Sequence, residues 1–415
     1  MNTLENQRFF DKPVVADVPI DSQTQIFKFE NFPAAGPTPW LDRPDALERV
    51  AQLLSDRVIN EEQAEWCRKW VSDGYLIVEG FFTDEQLDAT WQAYENAIAD
   101  GTLRPPHEPL FEGDTLPGRT LNPHFNVPAI RDMLFDARMN EIVSLLLGAK
   151  SAPFQTIGGH KSSEQLEHSD SIHMSTYPNG YLVANWIAFE DIHPDSGPLV
   201  YHPGTHKLPY LMSTELGMPF GCGYSAYHDI YEPAIQKLIA ERSAGPKYFY
   251  PKKGDVLLWH ANLLHGGSKM SHPEHVSRKA LVCHFFAHGC LCYHDLTGMP
   301  SSLTPIVDFD GEAYFDANPD VAASGGNALQ HYIYYGRFEG RPLSSAESLQ
   351  RKARLAALPN GFDPTLYLEA NPDVAAAGVD AVDHFIEFGR VEGRPLRPQD
   401  TLAPRQMQPG ATTVS

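Results

Sequence analysis

The sequence predicts an α+β protein: a sandwich or barrel-like double sheet, preceded by helices and followed by a small helical repeat tail. Three observations predict it. Apolar residues recur at helical spacing up to about residue 148, short β-like runs divided by turns take over from about residue 152, and a 53-residue period appears near the carboxyl end. Glycine and proline, 31 and 34 of the 415 residues, supply the turns that many short strands need.

Taken in order, residues 1–60 are a lead-in and one helix. Residues 1–40 show no sustained periodicity and are punctuated by Pro33, Pro37 and Pro39, so an extended arm is expected. Asp42-Arg43-Pro44 then opens a helix with Leu47, Val50, Leu53 and Leu54 on one face. A second helix covers 61–71, and the apolar run 74–80 is a strand. Thr83 followed by Gln86 reads as a capping box, with Leu87, Trp91, Tyr94 and Ile98 as the buried stripe of the helix it opens. Pro128 begins another helix, carrying Ile130, Met133, Leu134, Ile142, Val143, Leu146 and Leu147 and ending at Gly148. Strands are expected at 181–189, 198–202, 248–250, 255–259 and 279–286, with turn signals between them. Residues 61–306 read as one domain.

The tail repeats. Residues 309–323 recur as 362–376 without insertion, and His331 and His384, Gly336 and Gly389, and 339–343 and 392–396 keep the same register. The units are 307–345 and 362–400, joined by a linker at 346–361 with a helical stretch, and 401–415 reads as disordered. Asn318-Pro319-Asp320 and Asn371-Pro372-Asp373 place an N-cap, a first-turn proline and an acid at the positive end of a helix. Two copies are fewer than a free-standing solenoid needs, so packing on the main domain or on a partner is expected.

Composition bounds the partners. With 53 acidic and 32 basic side chains the formal charge is −21, which argues against nucleic acid or an anionic membrane surface. The first 20 residues have neither a basic start nor a continuous apolar stretch, and no apolar run approaches the ~20 residues that span a bilayer. Five cysteines, an odd number in a large chain, favour free thiols in a reducing compartment. A soluble, cytoplasmic protein is expected.

The 18 histidines carry the chemical signal. His-x-Asp occurs twice. His193-Pro-Asp195 runs into Ser-Gly-Pro and reads as a solvated turn, whereas His168-Ser-Asp170 opens a segment that can be extended, placing both side chains on one face. An imidazole and a carboxylate so placed are two ligands of a 2-His-1-carboxylate site, which leaves open positions on non-heme Fe(II). The third ligand is His260 or His265; both follow a strand, and spacing does not choose between them. Arg278, at the head of the run 279–286, is a natural bidentate partner for a carboxylate.

These residues carry a resemblance. From about 66 to 295 the chain resembles the phytanoyl-CoA dioxygenase family of Fe(II)- and 2-oxoglutarate-dependent oxygenases. The matching pieces are Asp73-Gly-Tyr-Leu-Ile-Val-Glu-Gly-Phe-Phe, His168-Ser-Asp170, Asn185-Trp-Ile-Ala-Phe-Glu-Asp191, Gly197-Pro-Leu-Val-Tyr-His-Pro-Gly-Thr-His-Lys207, Gly254-Asp255, Leu264-His-Gly266 and Arg278-Lys-Ala280. The resemblance implies a double-stranded β-helix of the jelly-roll or cupin kind. It also implies His168, Asp170 and His265 as catalytic iron ligands, Arg278 on the distal carboxylate of 2-oxoglutarate, and Trp186 lining that pocket. It favours His265 over His260. The reaction implied uses O2 to hydroxylate an unactivated C–H bond of a small-molecule or acyl-type substrate, with 2-oxoglutarate decarboxylated to succinate and CO2. Asp170 sets the chain apart from related halogenases, which carry a small residue there. Two departures stand out: Gly267 occupies a position where the family often has a hydroxyl, with Ser268 one place later, and the residues between Lys161 and the His-x-Asp strand match poorly.

Other clusters read as scaffold. Cys290-x-Cys292 does not match structural-zinc spacings, and Cys283 is expected as a buried small hydrophobe. His202 and His206 are expected to be structural, while His173 and Tyr177 are candidates to face the pocket. The repeats resemble modules appended to bacterial glycan-related enzymes, which raises the alternative of a non-catalytic scaffold or glycan-associated binding protein with a glycan or protein partner.

Overall fold

The computed structural model describes residues 10, 12–14, 29, 37–103, 119–218, 223–272, 276–302, 310–324, 328–332, 341–346, 355, 358–359, 361–376, 379 and 381–398. Most of the 1–40 arm, most of the 346–361 linker and the 401–415 tail lie outside them. Two compact units separate: Met1–Phe309 with Ile333–Glu339, and Asp310–Tyr332 with Gly340–Ser415.

In the first unit α1 (Ala46–Ser55) follows a 3-10 turn, Trp40–Asp42, and buries Ala46, Val50 and Leu53. Leu47, expected on that face, is 54% exposed. The stripe runs i, i+4, i+7 from Ala46, which leaves residue 47 about 100° round the helix. α2 (Glu61–Asp73) starts at a reciprocal capping box between Asn60 and Gln63 and leads into β1 (Tyr75–Val78). Thr83 and Gln86 exchange the expected bonds at the start of α3 (Asp84–Ala99), which buries Leu87, Trp91 and Tyr94 and half-buries Ile98. The single helix expected from Pro128 to Gly148 is two, α4 (Pro128–Leu134) and α5 (Ala137–Leu147). Asp136 divides them, because its carboxylate accepts from the amides of Arg138 and Met139 and caps a new helix.

The remaining strands are β2 (Thr120–Leu121), β3 (Ser151–Gly159), β4 (Ser175–Tyr177), β5 (Leu182–Ala188), β6 (Leu199–Tyr201), β7 (Lys247–Phe249), β8 (Val256–His260), β9 (His265–Gly267), β10 (Ala280–Ala287), β11 (Leu291–His294) and β12 (Met299–Ser302). The five expected runs correspond to β5, β6, β7, β8 and β10; the helix α6 (Glu232–Arg242) had no counterpart among them. A six-stranded sheet runs β1-β8-β5-β10-β3-β2, and two three-stranded sheets run β7-β6-β9 and β12-β11-β4, with all pairs antiparallel.

Period two sorts the large sheet into faces. Val183, Ile187, Val256, Leu258, Leu281 and Phe285 join the core under the helices. Ala184, Trp186, Ala188, Leu257 and Trp259 face the other way, onto Leu199, Tyr201 and Phe249 of the β7-β6-β9 sheet. Helices, large sheet and small sheet are therefore three layers around two cores, with the double sheet expected from the turn-rich sequence. Each fully buried large side chain contributes about 1.5–3 kcal/mol.

In the second unit short helices Gly311–Ala317, Pro319–Ala323 and Ala328–His331 are matched by Pro364–Ala370, Pro372–Ala376 and Ala381–His384. Asn318 does not cap with its side chain, as the sequence suggested. It is buried, and its amide donates to the carbonyls of Tyr314 and Pro342, at 2.8 and 2.9 Å; Asn371 does the same to Tyr367 and Pro395. Among the described residues no helix is long and apolar enough to cross a membrane.

Candidate metal centre

Two short segments meet at the site. β9 pairs with β6 on one side, and on the other His265 forms a two-bond antiparallel bridge with His168, at 2.8 and 3.0 Å. The approach is close: a Cβ at Gly266 would lie 2.8 Å from the Gln165 carbonyl and 3.0 Å from the Glu167 amide. Glycine after His265 is therefore a packing requirement. Gly267 has a similar cause, since a Cβ there would stand 2.6 Å from Ser163 Oγ and 2.9 Å from Ser162 Oγ. Ser268 is tied through its backbone, donating to the Pro198 carbonyl and accepting from Ser162 Oγ.

His168 and Asp170 do not sit on one continuous strand. His168 is a bridge residue, and Asp170 begins a 3-10 turn, Asp170–Ile172, in which Ser169 Oγ accepts from the Ser171 amide. The turn still brings both side chains to His265. Ligand atoms of His168, Asp170 and His265 lie within 4.8 Å of one another, all three buried, and they are the metal-type cluster found among the described residues.

Their hydrogen bonds fix which atoms remain available. His168 Nδ1 is 2.9 Å from the Leu166 carbonyl and His265 Nδ1 is 2.9 Å from the Leu263 carbonyl, the same two-residue backward contact in both. A carbonyl only accepts, so each ring carries its proton on Nδ1 and offers the Nε2 lone pair. Asp170 Oδ2 accepts from Trp259 Nε1 at 2.7 Å, while Oδ1 lies 3.6 Å from His265 Nε2. Burial pushes both imidazoles down to about 4, with the His265 charge adding to the effect at His168, so both are neutral near pH 7. Two neutral Nε2 atoms and a carboxylate oxygen are a donor set that fits a divalent iron.

His260 is elsewhere. Its Nε2 is 3.1 Å from Asp42 Oδ2 and its Nδ1 accepts from the Asn262 amide, beside a cavity of about 520 Å³ whose lining contains none of the three clustered residues. His193 and Asp195 lie in an exposed turn. His202 is buried against Ser243 Oγ, and His206 is buried beside His260, so both belong to the scaffold. Among the described residues Cys67, Cys283, Cys290 and Cys292 are buried free thiols.

Arg278 lies at the head of β10, buried, with Nη1 donating to the Gly197 carbonyl at 2.9 Å and Nη2 to the Lys161 carbonyl at 3.4 Å. Lys161 is itself buried. Nε of Arg278 has no partner, and burial, aided by Arg119, lowers the guanidinium to about 9. A buried cation facing only carbonyls among the described residues is matched to an anionic guest. Trp186 stands beside it on the inner face of β5, its ring 5.8 Å from the guanidinium carbon.

The family model for phytanoyl-CoA dioxygenase matches residues 70–279, half of the chain. The chain belongs to the phytanoyl-CoA dioxygenase family. Its class is that of a 2-oxoglutarate-dependent dioxygenase using Fe(II). Mouse peroxisomal phytanoyl-CoA dioxygenase is 30% identical over 270 residues, 60% of this chain and 75% of its own length. An ectoine dioxygenase of Bordetella parapertussis is 23% identical over 51% of this chain and 71% of its own. EctD from S. alaskensis with bound Fe is similar at 22% identity, covering 55% of this chain and 77% of that one, with a TM-score of 0.43.

Sequence reasoning missed Trp259, whose indole holds Asp170, and Tyr231, whose hydroxyl accepts from the Ser169 amide at 3.0 Å. Trp259 had a detectable signal: it is an inward position of an alternating strand ending next to a candidate histidine.

Proposed function

We propose that His168, Asp170 and His265 hold Fe(II), that Arg278 binds the distal carboxylate of 2-oxoglutarate with Trp186 lining its path, and that the enzyme hydroxylates an unactivated C–H bond of a small molecule. The observation that carries the reading is the matched pair of Nδ1-to-carbonyl contacts, which leaves two neutral Nε2 atoms and one carboxylate oxygen converging. When bound, iron and 2-oxoglutarate supply the O2 chemistry, with oxidative loss of CO2 leaving succinate and one oxygen atom going to the substrate.

The chain's own residues do the rest. The bridge between His168 and His265 fixes the spacing of two donors, and Trp259 reserves Asp170 Oδ1 by occupying Oδ2. The buried Arg278 attracts the cosubstrate and sets its direction, because a guanidinium fork pairs with a carboxylate in one plane. Burial of the whole cluster excludes water from the reacting atoms. We place this chemistry in residues 61–306, in a core of the double-stranded β-helix kind, and read the free thiols as support for a cytoplasmic protein.

The test is spectroscopic. Anaerobic addition of Fe(II) and 2-oxoglutarate should produce a weak visible charge-transfer band that His168→Ala or His265→Ala abolishes. A purified wild-type protein that gives no band would overturn the reading.

A further inference from the structure

We propose that three more histidines, the buried His284 and the half-buried His173 and His294, form a substrate wall beside the cluster that takes an uncharged, hydroxyl-rich small molecule and not a saturated acyl chain. The proposal rests on the iron reading of His168, Asp170 and His265.

His284 is placed by register. On the inner face of β10 it stands opposite Ala184, and Ala184 stands opposite Trp259, the residue bonded to Asp170. The three form a row across the sheet at the level of the cluster. Ala184 contributes only a methyl between the two ring systems, whose strands are about 10 Å apart, twice the strand spacing. The Arg278 guanidinium reaches Trp186, whose register partner is Val282, two positions before His284 on the same face.

His173 borders the cluster from the other chain segment. Its ring centroid is 5.5 Å from that of His168, 5.5 Å from His294 and 4.9 Å from Tyr227. Nδ1 of His284 and Nδ1 of His294 are buried without a hydrogen-bond partner. Leaving such an atom unpaired is costly, and a ligand that bonds to it recovers that cost. Burial, the largest cause in each case, lowers His284 and His294 to about 4, so these two rings are neutral near pH 7. A neutral imidazole presents one donor and one acceptor, the same pair that a hydroxyl presents, so polyols match it whichever way each ring is turned. A saturated chain would leave the imidazole atoms unpaired after stripping their water.

The experiment uses the full-length protein with Fe(II) and 2-oxoglutarate under nitrogen. The visible band is titrated with methyl α-D-glucopyranoside, myo-inositol and phytanoyl-CoA. At least one hydroxylated probe should shift the band saturably, and phytanoyl-CoA should not. In His284→Leu and His294→Phe, with the starting band reporting an intact iron site, that probe should bind at least tenfold more weakly. His284→Asn, which keeps a donor and an acceptor, should recover part of the loss. The proposal is overturned if phytanoyl-CoA shifts the band, if neither hydroxylated probe does so at 10 mM, on the order of the weakest affinities worth assigning, or if the variants bind like wild type. A missing starting band in wild type would instead strike the iron reading on which the proposal depends.

Discussion

The tail repeats and the metal centre place polar groups in opposite ways. In the repeats, Tyr314 reaches His331 Nδ1 at 2.9 Å and Tyr367 reaches His384 Nδ1 at 2.9 Å. Arg341 pairs with Asp320 at 2.7 Å, and Arg394 with Asp373 at 2.6 Å. Each bond joins residues of one short stretch, so copying the sequence copies the bond. The centre has no such locality. His168 and His265 meet only because β9 is held by β6, and Asp170 is aimed by a tryptophan from β8. Local geometry is inherited with its segment, whereas the centre exists only when two sheets are in register. It should therefore break at positions that never touch a metal.

The largest effect is expected from acid. His124, His168, His265, His284 and His294, all in the first unit, are lowered to about 4, mainly by burial. Unfolded histidine titrates near ~6.5. Between these values the unfolded chain binds more protons, so stability rises with pH and is lost as pH falls from ~6.5 toward ~4. Each histidine contributes about 1.4 kcal/mol per pH unit in that window. Five together approach the ~5–15 kcal/mol that holds an ordinary domain. Calorimetry of the metal-free protein should show the first unit's transition falling steeply below pH 6 and gone by about pH 5. An unchanged midpoint down to that pH would mean the histidines are not held neutral. Bound Fe(II) should move the loss to lower pH, since it binds the unprotonated rings.

A smaller and more selective break is Trp259→Phe. The ring remains and packing is largely kept, but Asp170 Oδ2 loses its donor. Removing such a supporting partner typically costs about 10–100-fold in metal affinity. Titration with Fe(II) in the presence of 2-oxoglutarate should show that weakening, with a normal band recovered at saturation. Unchanged affinity would show that the bridge and the Asp170–Ile172 turn hold the carboxylate without the indole.

How much of this was readable beforehand follows the same division. His168-Ser-Asp170 was readable because the two residues are neighbours, and the capping boxes and the repeat period for the same reason. His265 against His260 was not, because both end or follow the same strand. The choice is made by Asp42, which takes the His260 ring away toward the helices. Trp259 is legible as an inward strand position, but its bond to Asp170, like the place of His284, belongs to a row across three strands that appears only with the register. Asp136 was the reverse case, a local cap signal overridden by an unbroken apolar pattern on both sides. Asn318 stands at the expected N-cap position, but its buried amide donates to two carbonyls in place of a side-chain cap, a pair of bonds that Asn371 also makes.

The smallest effect tests the repeats as copies. Tyr314→Phe and Tyr367→Phe each remove one hydroxyl facing a histidine Nδ1 at the same 2.9 Å, leaving both rings in place. A neutral hydrogen bond of this kind contributes about 0.5–1.5 kcal/mol. Native-state hydrogen exchange of the amides in Gly311–Ala317 and Pro364–Ala370 should register that loss in the substituted repeat, with the two losses equal within about 0.5 kcal/mol, the usual margin for independent sites. The visible band should be untouched by either change. Equal losses would mean that each hydroxyl's contribution is set inside its own stretch, as the matching distances require. Unequal losses would mean that surroundings beyond the repeat decide it, and the contrast with the centre would then be one of degree: both regions would depend on partners the local sequence does not name.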